Sequence, residues 1–305
     1  MRAIIAFLSG ICFLVATPTV QAWNEPGHMT SAAIAYMDLK ERNPAALAKV
    51  IGVLKQHPDF ESMWRDQLGK ADDPDLYLVM LAARWPDDIK KKTHKYNHWH
   101  YVNIPYRPGK NEVLIPQGES IITAFPENLS IAKSKSADDK DRAVALCWML
   151  HLIGDVHQPL HTTTLITEQF PEPEGDLGGN SFYVRLTPNS PTIKLHAFWD
   201  DIVLGSDKFE EVRNEAATLL NKHNLKRQDL AGQLAVKPFN DWATASYSIA
   251  IDQAYRKGTL KGGTSNNDGA VLPSDYTDKA KEVAERQIVL SGYRISDAMV
   301  DVFGQ

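Results

Sequence analysis

A mainly α-helical fold is the class this sequence predicts. Apolar residues recur at helical spacing nearly everywhere, two-residue alternation is scarce, and no composition shift or internal repeat divides the chain. One domain over residues 23–305 is therefore expected, and 43% apolar residues suffice for an ordinary core.

Residues 1–22 read as an export signal. Met1 and Arg2 form a short positive end, residues 3–16 are almost wholly apolar, and Val20-Gln21-Ala22 ends on a small residue suited to cleavage. The mature chain then begins at Trp23, in the periplasm or the medium. The apolar run falls short of the ~20 residues a bilayer needs, and no later stretch reaches that length without charges, so no membrane anchor is expected. Cys12 follows Ile11 inside the run rather than standing at the cleavage point, which disfavours lipidation. Cys12 leaves with the signal, and Cys147 alone cannot form an internal disulfide.

Next along the chain, the pattern predicts a helix over Thr30–Leu39 opening after Pro26-Gly27, a long helix over Asp141–Val156 and another over Thr277–Val302. Phe182–Leu186 reads as one short strand. Phe170–Asn180 and Gly262–Ser274 read as surface loops.

A net charge of −5 and a pI near 6.1 argue against a broad basic face for nucleic acid. The concentrated basic patch is Lys90-Lys91-Lys92 with His94 and Lys95, and a solvated loop explains it adequately.

The chemistry begins with histidine and aspartate spacing. Zinc takes imidazole nitrogens and carboxylate oxygens, and a helix puts residues four apart on one face. His151 and Asp155 have this spacing on the stripe of Val144 and Trp148, and His196 and Asp200 repeat it. One such pair alone is weak, since a histidine on an apolar helix face is more often a hydrogen-bonded core residue. Density adds weight: His157 and His161 follow at once, with Pro159 expected to end the helix and let His161 turn back. Upstream, Asp87 in Trp85-Pro86-Asp87 and the run His98-Trp99-His100-Tyr101 add ligand types among aromatics.

In this order, Trp23 with His28, Trp85-Pro86-Asp87, His100-Tyr101, His151-x3-Asp155-x5-His161, Gly178-Gly179-Asn180 and His196-x3-Asp200 resemble the S1/P1 nuclease family. Trp242-Ala243, Ala254-Tyr255 and Ser291-Gly292-Tyr293-Arg294 are similar in pattern, so the resemblance spans most of the mature chain. It implies a single all-helical domain of the zinc phospholipase C / P1 nuclease type with a trinuclear zinc cleft. Asp87, His100, His151 and Asp155 would hold the first zinc, and His161, His196 and Asp200 the second. The free amine and carbonyl of Trp23, with His28, would hold the third, Asp155 bridging to the first. Signal removal would thus create a ligand, because an α-amine of pKa ~7.7 yields its proton readily to a competing metal.

The implied activity is cleavage of single-stranded DNA and RNA to 5′-nucleotides, with 3′-nucleotidase activity. Three zinc ions bring about +6 against about −3 from Asp87, Asp155 and Asp200, leaving about +3 for a phosphodiester. A zinc-bound hydroxide would attack phosphorus in line while zinc stabilises the leaving 3′ oxygen. Tyr101 stands where the family stacks a base, with core packing as the alternative, and Asn180 resembles the family's substrate-contacting asparagine, with a plain turn residue as the alternative.

Departures bear on the substrate contacts. Asn103 stands where the family often has an acid, which touches base preference, and Lys90 stands where an arginine is frequent, keeping charge but losing bidentate geometry. Ala245 replaces an expected glutamate. The absence of the disulfides of fungal and plant members suggests a bacterial-type member, and a monomer is expected. His157 is read as orienting a ligand or a helix end, His98 as bordering the site, and His57 and His223 as ordinary surface residues. Asn128-Leu129-Ser130 is a glycosylation sequon only in a host that uses it. Two rivals remain. A zinc phospholipase C also starts at tryptophan, but its helix pair typically ends in glutamate. An exported, non-catalytic zinc-binding protein would more typically use closed, cysteine-rich cages.

Overall fold

The computed structural model describes residues 23–90, 93, 96–110 and 112–304. The expected signal segment, Lys91, Lys92, His94 and Lys95 lie outside the described residues.

Helix α1 (Glu25–Arg42) opens where Asn24 Oδ1 accepts the Gly27 N–H at 2.9 Å, with Pro26 in the first turn, where its missing N–H costs nothing. The helix therefore starts at Glu25, ahead of the expected Thr30, because Pro26-Gly27 sits inside the capped turn. There follow α2 (Pro44–Leu54), α3 (Arg65–Leu68), α4 (Pro74–Lys90), α5 (Ile121–Lys133), α6 (Asp139–Asp155), α7 (Leu195–Asp201), α8 (Phe209–Asn221), α9 (Ala231–Leu234), α10 (Phe239–Ile249) and α11 (Tyr276–Phe303). The long predicted helices are α6, capped by Asp138 through the Lys140 N–H, and α11, each within two residues of expectation. The core sits where α1, α4, α6 and α11 pack on one another.

Strands are more numerous than the one expected. β1 (Ile104–Tyr106) pairs in parallel with β2 (Thr163–Leu165), Ile104 opposite Thr163. β3 (Tyr183–Arg185), inside the predicted Phe182–Leu186, pairs with β4 (Ile193–Lys194) antiparallel and β5 (Ala270–Val271) parallel. β5 lies in a stretch read as a loop; two residues are too few for an alternating pattern to show. Both sheets are positioning devices. The first ties the chain after His100 to the chain after His161, and the second leads β4 straight into α7.

Two further expectations are corrected. Helix α6 ends at Asp155, before Pro159, which instead opens a 3₁₀ turn over Pro159–Thr162. His57 is no surface residue: it is buried, with ring centroids 4.6 Å from both Trp64 and Trp85, and its Nδ1 accepts the Asp59 N–H at 3.0 Å. His223 is exposed, as expected. Cys147 is a buried free thiol, and no helix among the described residues is long and apolar enough to cross a membrane.

Gly292 sets the α1–α11 approach. A Cβ there would lie 2.5 Å from Ile34 Cγ2 and 2.9 Å from the Ser31 carbonyl oxygen. Gly292→Ala should lower stability by roughly 1–3 kcal/mol through overpacking, read as a lower urea midpoint at constant slope. Burial pushes the His57 imidazole down from 6.5 to about 4, against the opposing charge of Asp59. The unfolded chain then binds the extra proton between those values, so the His57 contribution is complete above pH 6.5 and declines as pH falls toward 4. Over that window the melting temperature of the native protein should fall more steeply than that of a His57→Asn variant.

Candidate metal centre

Four segments converge on the C-terminal end of α6. α6 itself carries His151 and Asp155 one turn apart, with Nε2 and Oδ2 separated by 3.1 Å. His100, from the 3₁₀ turn Asn97–His100, places Nδ1 3.1 Å from the same oxygen. His28, from α1, places Nε2 3.2 Å from Asp155 Oδ1, and His161 lies 3.6 Å from that oxygen. Asp87, from α4, stands 3.9 Å from His28, His100 and His151. His196 and Asp200 face one another across one turn of α7 at 3.5 Å. All of these residues are buried. Three groups result whose ligand atoms lie within 4.8 Å of one another: His28, Asp87 and His151; His100, His151 and Asp155; His161, His196 and Asp200.

Backbone carbonyls set the imidazoles. His151 Nδ1–H donates to Ala83 O at 2.8 Å, His161 Nδ1–H to His100 O at 2.7 Å and His196 Nδ1–H to Gly178 O at 2.6 Å. A carbonyl can only accept, so in the neutral ring each Nε2 is the acceptor edge. His161 and His196 then bring two acceptor nitrogens within 3.2 Å, an arrangement that a shared cation relieves. Gln158, which sequence reasoning missed, holds Asp200: its Nε2 donates to Asp200 Oδ1 at 2.7 Å while its Oε1 accepts the Leu160 N–H at 2.6 Å. Its place between two predicted ligands was the available signal. Gly154 lets α1 close in, since a Cβ there would meet His28 Nδ1 at 2.7 Å; His28 stacks on His151 at 3.8 Å.

Burial raises the Asp155 carboxyl, but His151, His161 and His100 outweigh it and hold it well below the usual carboxylate range. Asp87 is lowered on the same balance, burial being overcome by His151, His100, Lys90 and His28. Asp200 goes the other way: burial pushes it well up, Gln158 only partly offsets this, and the nearby acids add to it. Burial lowers His100 to about 4 and, with His151, lowers His28. His151 is raised because Asp155 and Asp87 overcome its burial.

These charges fit a metal. Both ring nitrogens of His28, both oxygens of Asp87 and Oδ1 of Asp155 are buried without a hydrogen bond among the described residues. Leaving such atoms unsatisfied costs about 1–3 kcal/mol each, and a divalent cation satisfies several at once. Imidazole and carboxylate donors without cysteine suit zinc in an open site.

The remaining predicted residues lie around this centre. Trp23 is buried, its indole N–H on Gly154 O at 3.0 Å. Lys90 is buried with Nζ 3.9 Å from Asp87 Oδ1. Half-buried Tyr101 and Asn103 line a small recess of about 30 Å³ with Leu160, Leu177 and His196. Asn180 lines a cavity of about 280 Å³ with Asn24, Lys194, His196 and Asp200. His98 borders the site through Tyr101, its Nδ1 3.0 Å from the hydroxyl. His157 stays outside: its Nδ1–H donates to Ile153 O at 2.6 Å, and its Nε2 accepts from Arg294 at 2.6 Å. Burial and Arg294 hold it neutral, matching the expected helix-end role.

Comparison with known proteins agrees with the geometry. The family model described as S1/P1 Nuclease matches residues 23–304. Endonuclease 4 of Arabidopsis thaliana is 26% identical, the match covering 92% of this chain and 89% of that protein. Nuclease S1 of Aspergillus oryzae is 24% identical over 90% of this chain and 89% of its own length, and Nuclease P1 of Penicillium citrinum 21% over 92% and 98%.

Metal should stabilise the fold. Zinc at ~100 times its dissociation constant adds roughly 2.7 kcal/mol by mass action, so zinc should raise the melting temperature and a chelator lower it. Asp155→Asn, which removes the charge shared by all the surrounding imidazoles, should lose most of that gain in the same scan.

Proposed function

The chain belongs to the S1/P1 nuclease family and is a phosphodiester-hydrolysing nuclease, and from that premise we propose that it is exported, matured at Trp23 and zinc-dependent, cleaving single-stranded DNA and RNA to 5′-nucleotides with 3′-nucleotidase activity. The observation that carries this reading is the set of buried, hydrogen-bond-free atoms on His28, Asp87 and Asp155, beside the opposed acceptor nitrogens of His161 and His196.

Asp87, His100, His151 and Asp155 would hold one zinc, and His161, His196 and Asp200 a second. Trp23, through its freed amine and carbonyl, would hold a third with His28, Asp155 being shared. Bound there, zinc supplies an activated water at neutral pH and neutralises charge on the departing oxygen. The protein groups do the rest. Gln158 and the carbonyls of Ala83, His100 and Gly178 hold the donors in one orientation, and Lys90 adds positive charge beside Asp87. Asn180 contributes an amide to the wall that a reacting phosphate would meet, and half-buried Tyr101, with Asn103 beside it, would offer a ring face for a base to stack on. A stacking face beside a buried centre favours a strand whose bases splay over a stiff duplex. Export to the periplasm or medium and a monomeric state complete the proposal.

Protein beginning at Trp23 should contain about three zincs, release 5′-phosphorylated products from single-stranded DNA and RNA faster than from duplex, and stop with chelator. Cleavage of phosphatidylcholine vesicles alone would make it a phospholipase, and zinc without any hydrolysis would make it a binding protein. One extra residue before Trp23 should lower zinc to about two and slow turnover. Unchanged zinc and rate would remove the N-terminal chelate.

A further inference from the structure

We propose that Asp176 is a positioning residue for the triad of His161, His196 and Asp200, acting through the loop Leu177–Asn180 without touching substrate or metal. This deepens the metal reading above and rests on it for its functional meaning.

The loop is difficult to hold. Leu177, Gly178 and Gly179 have φ of 54°, 61° and 83°, three consecutive residues in the left-handed region. Leucine there is strained, and such a run persists only when its surroundings over-determine it. The two glycines are also forced by close approach: a Cβ on Gly178 would lie 2.5 Å from Leu160 O, and one on Gly179 would lie 3.0 Å from the His196 nitrogen. What the loop delivers is specific. Gly178 O takes the His196 Nδ1–H, Gly179 O accepts the His196 N–H at 3.2 Å, and Leu177 O accepts the Asn180 side-chain amide at 3.0 Å. The imidazole orientation of His196 and the seat of Asn180 thus depend on one strained turn.

Asp176 ties that turn to the rest of the molecule. Its Oδ1 accepts the Leu165 N–H of β2 at 2.8 Å, with the Thr164 hydroxyl 3.4 Å away and donating to Glu174 O at 2.9 Å. Its Oδ2 accepts the Gly179 N–H at 3.0 Å and the Tyr255 hydroxyl at 2.7 Å. The backbone adds Asp176 N–H to Leu165 O at 3.0 Å and Ser181 N–H to Asp176 O at 2.9 Å. One buried carboxylate therefore joins β2, which is paired to the chain following His100, to the turn that aims His196. Its chemistry is hard to replace. Each oxygen accepts a backbone N–H, so an amide in either orientation sets its own N–H₂ against one of them. Burial pushes this carboxyl up to about 6 even though its hydrogen bonds pull the other way.

Asp176→Asn is the test, with two readouts. The first is zinc retained after dialysis against a graded chelator. The second, independent of metal, is hydrogen exchange of the histidine Nδ1–H protons and of the Gly179 amide by NMR in metal-free protein. The variant should hold one zinc about 10-fold more weakly, as orienting partners of ligands usually do, and keep the others. Its His196 Nδ1–H and Gly179 amide should exchange at least ~10-fold faster, with the His151 Nδ1–H unchanged. Tyr255→Phe, which keeps both backbone bonds to Asp176, should shift the same readouts by about 3-fold and serves where the first variant does not fold. Unchanged His196 protection, or an equal loss at every histidine, would overturn the proposal and leave Asp176 a general structural residue. If the native protein retains no zinc while His196 protection still falls selectively, the metal reading fails and the positioning role stands.

Discussion

A carboxylate that the fold buries completely, surrounded by imidazoles instead of a permanent cation, is the constraint on which this molecule is built. Asp155 is met by His28, His100, His151 and His161 within 3.6 Å, and Asp87 stands on the far side of the first three. Taking an ion of this size out of water costs several kcal/mol even after relaxation. His151, His161 and His100 outweigh that burial for Asp155, but burial drives His28 and His100 themselves toward the neutral form. Positive charge is wanted at a place where the protein supplies little of its own, and a divalent cation answers that need with the donors already aligned.

That constraint explains features otherwise unconnected. α1 must approach α6 closely enough for His28 to lie on His151, which requires Gly154 on α6, and Gly292 on α11 lets α1 seat from its other side. The ligands on non-helical chain need other supports. β1 and β2 pair the segments after His100 and His161, the Val102 N–H reaches the His161 carbonyl at 2.8 Å, and His161 returns a bond to His100 O. Short sheets in a helical protein are here the means of joining ligand-bearing turns. The strained turn before Asn180 plays the same part for α7.

Legibility in the sequence followed the range of the interactions. α6 and α11 were readable because one apolar period runs through each, and the His151–Asp155 and His196–Asp200 pairs because helical geometry fixes what four-residue spacing means. His57 was misread because its neighbours Trp64 and Trp85 reach it only in the fold, and nothing in its immediate sequence announces burial. β5 was missed because two residues carry no period. Gln158 and Asp176 escaped notice because they act on ligands and loops from the second layer: their chemistry is ordinary hydrogen bonding, and only placement gives it consequence. The group of His28, Asp87 and His151 is a further case. The family pattern set His28 with Trp23 at a separate metal position, and only the fold shows its imidazole beside Asp87 and His151.

The charge distribution bears on how such a site would meet its substrate. A chain of net charge −5 offers a polyanion no general attraction, so under the proposed metal reading recognition must come at short range, from the cations and the groups beside them. A protein that grips nucleic acid through many lysines and arginines releases many counterions and weakens steeply with salt, whereas one that engages one or two phosphates at a buried centre releases few. Affinity then rests on fit around a single phosphodiester and the base next to it. The same economy of contact is suited to substrates as short as a mononucleotide and to strands of any sequence, because little beyond the reacting phosphate has to be recognised. Under the proposed function such an enzyme would discriminate by access: whatever can bring a phosphate down to a buried centre would be a candidate substrate, and a duplex that cannot bend or open to do so would be excluded by its own stiffness.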